Sequence, residues 1–401
     1  MADSKWINDQ GRQFTMLTSL DETFLHQVPV TFDQTLTSDH RFFDRIWMSG
    51  HNGGNVRFMS GMAAYKNTNT FDGYFLAIKD GRQYNLRLSR PLRPNSDEMG
   101  VGPLQLKIVR PLEELRLTVA PGQDHPLAAD ITFTGASPVL LENPHFRRLD
   151  GRITQEYIRF MQVGRTDGWI EIDGERFGAE KWFGARDHSW GVRPGQGGYE
   201  PLTSKPLPGE NREDVGAGAD GFLILWLAFE TANYSGYLQQ HEDGRGKLLY
   251  VDGHIYKKTG SSVQEINVVK IEHEVGFVKG TRVASDAKLH VSLANGETLD
   301  MEAALVLSPY CYKGTGYDGG YNDERGLGLH RGDLLESDIY DISHPEDVIL
   351  PDGRTVRPWH RDASCKLKVN GESGLGHCVV QSSGTIFRYG LTAEVVNKKQ
   401  G

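Results

Sequence analysis

Short runs in which apolar and polar residues alternate, each broken by a glycine-containing turn, dominate the chain from about residue 53 onward. Alternation at period two puts successive side chains on opposite faces, so residues 55–65, 73–79 and 83–88 are expected to be strands. Asp80-Gly81 stands between the last two, the strongest short sequence signal of a hairpin. The same device recurs at Asp173-Gly174, Asp243-Gly244, Asn295-Gly296 and Asn370-Gly371. Residues 104–109 and 114–119 add two alternating runs around Pro111. Helix is expected only near the start, over 20–30 behind an acidic first turn and again over 41–47. Hairpins at this density, without crossover helices for a parallel sheet, predict an all-β protein of antiparallel barrels or sandwiches with few short helices.

The 401 residues exceed what one core usually supports, so two domains are expected. The segment 196–220 is rich in glycine, carries Pro201, Pro206 and Pro208 and has few apolar residues, as a linker would. It divides the chain into an N-terminal domain, 1–195, and a C-terminal domain, 221–401, each the size of a barrel that holds one small ligand. The longest apolar run, residues 222–229, is too short to cross a membrane, so no transmembrane segment is expected. A net charge of −9 without a basic stripe argues against nucleic acid as a partner. Three cysteines, Cys311, Cys365 and Cys378, and no apolar signal core after Met1 point to reduced thiols and a cytoplasmic setting. The oligomeric state stays open, a homodimer included.

Two glycine patterns, Gly216/Gly218/Gly221 and Gly314/Gly316/Gly319, have the dinucleotide spacing but lack the strand before and helix after that the fingerprint requires. No metal-ligand spacing is present, and no cofactor is expected. The chemistry concentrates in residues 181–193, where Trp182, Phe183, Arg186, Asp187, His188 and Trp190 fall within thirteen residues. In one reading the aromatic residues wall an apolar pocket, Asp187 or His188 moves a proton, and Arg186 or Arg193 holds an anionic group. In the other, Trp182 and Trp190 plug a barrel end and Asp187 satisfies turn amides.

The string from Trp182 to Gly191 resembles the W-x-D-H-x-W-G signature of the carotenoid 1,2-hydratase-like (AttH-like) family, and fungal lipocalin-like Diels–Alderases look like distant relatives of that fold. The resemblance implies two tandem lipocalin-like domains and a cavity for a hydrophobic terpenoid-, steroid-, aromatic- or polyketide-like molecule. It implies a cofactor-independent lyase or isomerase, with Asp187 and His188 expected as the acid–base pair. His51 in a small-residue loop, Trp226, and Tyr317 and Tyr321 in the long loop 310–330 are further candidates to line that cavity. A non-catalytic carrier of the same ligand and a pericyclase that works by shape are the alternatives.

Overall fold

The structure, a computed structural model, describes residues 19–149, 152–197, 221–260, 262–358 and 361–392. It is all-β, with no helix of seven residues or more among the described residues. Most of the expected linker, residues 198–220, lies outside them, as does most of the first glycine pattern.

Eight strands close into an antiparallel barrel: Phe222–Thr231, Tyr234–Asp243, Leu248–Thr259, Ser262–Phe277, Ala284–Leu293, Thr298–Leu305, Arg361–Val369 and Glu372–Ser383. Closure comes from Thr298–Leu305 pairing with Arg361–Val369, and Glu372–Ser383 with Phe222–Thr231. The pattern in the sequence explains the geometry. In Thr298–Leu305 the alternate residues Leu299, Met301, Ala303 and Leu305 are buried and those between them exposed. Such strands can only close around the apolar face, and Leu225, Leu227, Phe229, Leu238, Ile255 and Val291 fill the interior. This is a lipocalin-like barrel.

The second sheet is larger. Its main run passes from Arg82–Pro91 through Thr70–Lys79, Arg57–Tyr65, Phe42–His51, Glu175–Val192, Arg152–Ile172, Leu127–Gly135 and Glu114–Val119 to Leu104–Arg110. It curls around its own apolar core until Val101 and Leu104 pack back on Gly73. Leu334–Asp341, far along the chain, pairs with Arg82–Pro91. There Arg87 grips Asp338 with two parallel bonds of 3.0 and 2.7 Å. The excursion between two barrel strands, from Leu305 to Arg361, therefore contributes an edge to the other sheet.

Hairpin expectations hold. Asp80-Gly81, Asp173-Gly174 and Asn370-Gly371 all carry positive φ at both residues, the twist a two-residue hairpin needs. The helical expectations do not. Residues 20–30 form only the 3-10 turn Ser19–Glu22, and Phe24 and Leu25 find no core to cover them. Residues 41–47 lie mostly in the strand Phe42–His51. That strand is buried on both faces, so the alternation that marks a half-wet strand is missing from its sequence. Its inner face joins the larger sheet's core through Ile46 and Met48, and its outer face presses on the barrel through Trp47.

Candidate active site at the seam between the sheets

The outer face of the larger sheet packs against the outer face of the barrel, and buried polar side chains, among them Arg45, Ser49, His51, Glu142, Asp362 and His377, gather at this seam. Cross-strand register builds it. Trp47 is paired with Asp187 on one side and Gly61 on the other, and Asp187 with Met161 beyond. By the pleat, Arg45, Trp47 and Ser49 share this face with Asp187, Arg159, Met161 and Tyr74. The barrel contributes Trp226 and His377.

Asp187 sits among cations. Its side chain is 16% exposed, Arg159 Nη1 lies 3.9 Å from its Oδ2, and Arg45 and Arg193 add further positive charge. Burial nevertheless pushes its carboxyl above the ordinary range, because desolvation of the anion outweighs the three guanidinium groups. Arg159 is itself held by Glu142, which accepts its Nε at 2.8 Å and shares His145 at 3.0 Å. Arg45 donates to Tyr74 Oη at 3.0 Å and to Tyr317 Oη. Arg193 reaches the same Tyr317 oxygen at 2.5 Å.

Beside Asp187 the seam is aromatic. The Trp47 and Trp226 rings meet edge to face at 6.3 Å, and both stand against His377, at 5.0 and 6.0 Å. Both indole N–H groups are buried without an acceptor, an expensive state for a donor in a dry interior. His377 is fully paired: Nε2 donates to Asp362 Oδ2 at 3.0 Å, and Nδ1 lies 3.1 Å from Ser49 Oγ. Tyr312 also donates to Asp362, at 2.5 Å. Ser49 and His377 are wholly buried, so this chain of bonds ties the two sheets together.

The residues singled out from sequence divide between two faces of one strand. Asp187 and Phe183 face the seam, whereas Trp182 lies in the larger sheet's own core, with Arg186, His188 and Trp190 at alternate positions on that side. Asp187 and His188 therefore do not act on one another. His188 is half-buried, bonded to Asp44 at 2.7 Å, and touches the rings of Phe160 and Trp190. Trp226 and Tyr317 join the seam. His51 lies there too, but donating to Gly376 O at 2.9 Å and accepting from Gly53 N at 3.1 Å, so it serves as a strut. Tyr321 is buried in a separate cluster with Phe43, Tyr65 and Leu327, so this part of the long loop is packed core.

Trp47, Arg45, Arg159 and Tyr74 were not apparent from sequence. Arg45, Trp47, Ser49 and His51 share one face of their strand at period two, but because both faces are buried no alternation of apolar and polar residues marks them. A groove of about 560 Å³ lined by Lys107, Glu114, Arg116, Asp130, Asp167 and Trp169 shares no residue with the seam. No helix of the described residues is long and apolar enough to cross a membrane.

Solved structures similar to this chain include CghA with Sch210972, at TM-score 0.42 and 9% identity over 85% of this chain and 88% of that one. CghA alone matches at TM-score 0.43, again with 9% identity over 85% and 88%. No curated protein sequence matches. One family model matches, over residues 17–347; it is not the carotenoid 1,2-hydratase-like one.

Proposed function

The chain belongs to DUF8625, a family of unknown function, and from the geometry of its seam we propose that it is a cofactor-independent lyase or isomerase acting on a hydrophobic small molecule. The observation that supports this reading is Asp187: a half-buried carboxyl, raised by desolvation, beside two indole N–H groups that lack an acceptor. A carboxyl so raised holds its proton closer to neutral pH and is suited to donate it.

The substrate would bring the missing acceptor, an oxygen that takes the Trp47 or Trp226 N–H. Asp187 then protonates an alkene carbon or oxygen. In an isomerisation the carboxylate recovers a proton from a neighbouring carbon. In a hydration, water adds its oxygen to the adjacent carbon and returns a proton to Asp187. Arg45, Arg159 and Arg193 steady the carboxylate and any developing oxyanion, and the Trp47 and Trp226 faces favour positive charge on carbon. Acid–base assistance of this kind is worth about 10²–10⁴ in rate.

Native mass spectrometry of freshly purified protein tests the reading. Asp187→Asn is expected to retain an apolar ligand that the wild type releases as an isomer or a water adduct. The same ligand on both proteins, unaltered after incubation with the wild type, would make the seam a carrier site and end the catalytic reading.

A further inference from the structure

Arg186 occupies the face of its strand away from the seam, and its charge is left uncompensated. The residue is 2% exposed. Its guanidinium donates through Nε to Gln162 Oε1 at 2.8 Å, while Nη2 is buried with no partner. Among the described residues no carboxylate forms an ion pair with it; Asp187, the next residue, points to the other side of the sheet. A buried cation normally has an anion beside it, because the solvation it gives up must be replaced. The strain shows in its basicity, which burial pulls down to about 10.

The surroundings describe what would replace it. The guanidinium lies 5.6 Å from the Phe133 ring centre and 5.3 Å from that of Phe160. Gln162 is locked by donating to Leu112 O at 2.8 Å and Ser137 O at 2.7 Å, so its Oε1 is presented to Arg186 and cannot turn away. Ser137 Oγ is a second buried atom without a partner. Along the same face of the strand, Arg186 is followed by His188 and then Trp190, which is 37% exposed. Phe160 bridges them, with ring centres 5.4 Å from His188 and 6.4 Å from Trp190. Four residues of strand span about 13 Å. A buried cation thus lies at one end of an aromatic strip that opens to solvent at the other.

We propose that Arg186 is the floor of a second ligand site, inside the curl of the larger sheet, which takes the carboxylate of a small amphiphilic acid whose apolar body runs along Phe160 to the Trp190 rim. The carboxylate supplies the anion that the guanidinium lacks and accepts from Nη2. The site is independent of the seam and of any reaction there, because the backbone of the sheet separates the two.

Isothermal titration of the full chain with decanoate, with decanol as the uncharged control, tests this. Decanoate is expected to bind one to one and decanol at least tenfold more weakly. Arg186→Gln should weaken decanoate at least tenfold and leave decanol as it was. Trp190→Ala, a change at an exposed rim, should fold normally and weaken both ligands several-fold. Asp187→Asn should leave decanoate within threefold, which separates this site from the one at the seam. Decanoate that binds no better than decanol, or equally well to Arg186→Gln, or unchanged by Trp190→Ala, overturns the proposal.

Discussion

His51 should make the protein lose stability in mild acid, and the size of the effect follows from its contacts. The ring is fully buried, donates from Nε2 to Gly376 O and accepts at Nδ1 from Gly53 N. The bond accepted at Nδ1 requires the neutral ring, and burial, reinforced by the neighbouring His377, lowers its pKa from 6.5 to about 3. Between those values the unfolded chain binds a proton that the folded chain refuses. Stability then rises with pH, by about 1.4 kcal/mol per unit for one such group. Lowering the pH from neutrality to 4.5 therefore costs on the order of 3 kcal/mol through His51 alone. His241, also lowered to about 3, adds a slope of the same sign. Asp72, raised to about 6 by burial, works in the opposite direction between about 4 and 6, because there the folded state holds the extra proton. The variant His51→Gln isolates one contribution, since its amide can donate to Gly376 and accept from Gly53 but does not titrate. Urea unfolding of both proteins at pH 7.5, 6.0, 5.0 and 4.5 gives the two stability curves. Below pH 6.5 they should converge by about 1.4 kcal/mol per unit, whatever their offset at neutrality. Parallel curves would show that His51 is protonated in the folded state and would refute the reasoning.

Three other expectations can be checked by the same unfolding measurements. Asp362→Ala removes the buried carboxylate to which both the Tyr312 hydroxyl and His377 Nε2–H donate, for a loss of about 3–5 kcal/mol, whereas Tyr312→Phe removes a single donor and should cost about 1 kcal/mol. Equal losses would place the cost elsewhere than in unpaired donors. Gly168 has φ +128°, and a Cβ there would stand 2.0 Å from Asp130 O, so Gly168→Ala should force the bulge open and cost at least about 2 kcal/mol; a variant as stable as the wild type would show that the strand relaxes freely. Leu227→Ala empties a wholly buried position in the barrel and should cost about 2–5 kcal/mol, a result that a loss below 1 kcal/mol would contradict.

What could be read from the sequence depended on how many faces of each strand are wet. Thr298–Leu305 and Ala284–Leu293 keep one face in water, so their alternation survives and their hairpin at Asn295-Gly296 was plain. Phe42–His51 has an apolar core on one side and the barrel on the other, which erased the signal and made its first half resemble helix. The location of Asp187 was legible because tryptophan, arginine and histidine crowd around it along the chain. Its partners were not, because Arg45, Trp47 and Arg159 arrive by register from strands distant in sequence.

The same pleat that hid those partners also divides the motif itself. A run of chemically active residues on a strand is two sets of alternate residues, each facing a different environment. In 182–190 the odd positions Phe183 and Asp187 meet the seam, and the even positions Trp182, Arg186, His188 and Trp190 meet the interior of the larger sheet. Neighbours in sequence are thereby insulated from one another by a layer of hydrogen-bonded backbone. Asp187 touches Arg186 only through long-range charge, which is weak beside the burial that governs each of them. Asp187→Asn and Arg186→Gln should therefore act almost additively on stability, and each should leave the other face's ligand in place. A coupling energy above about 1 kcal/mol in that double-mutant cycle would mean that the two faces communicate and that the motif works as one site.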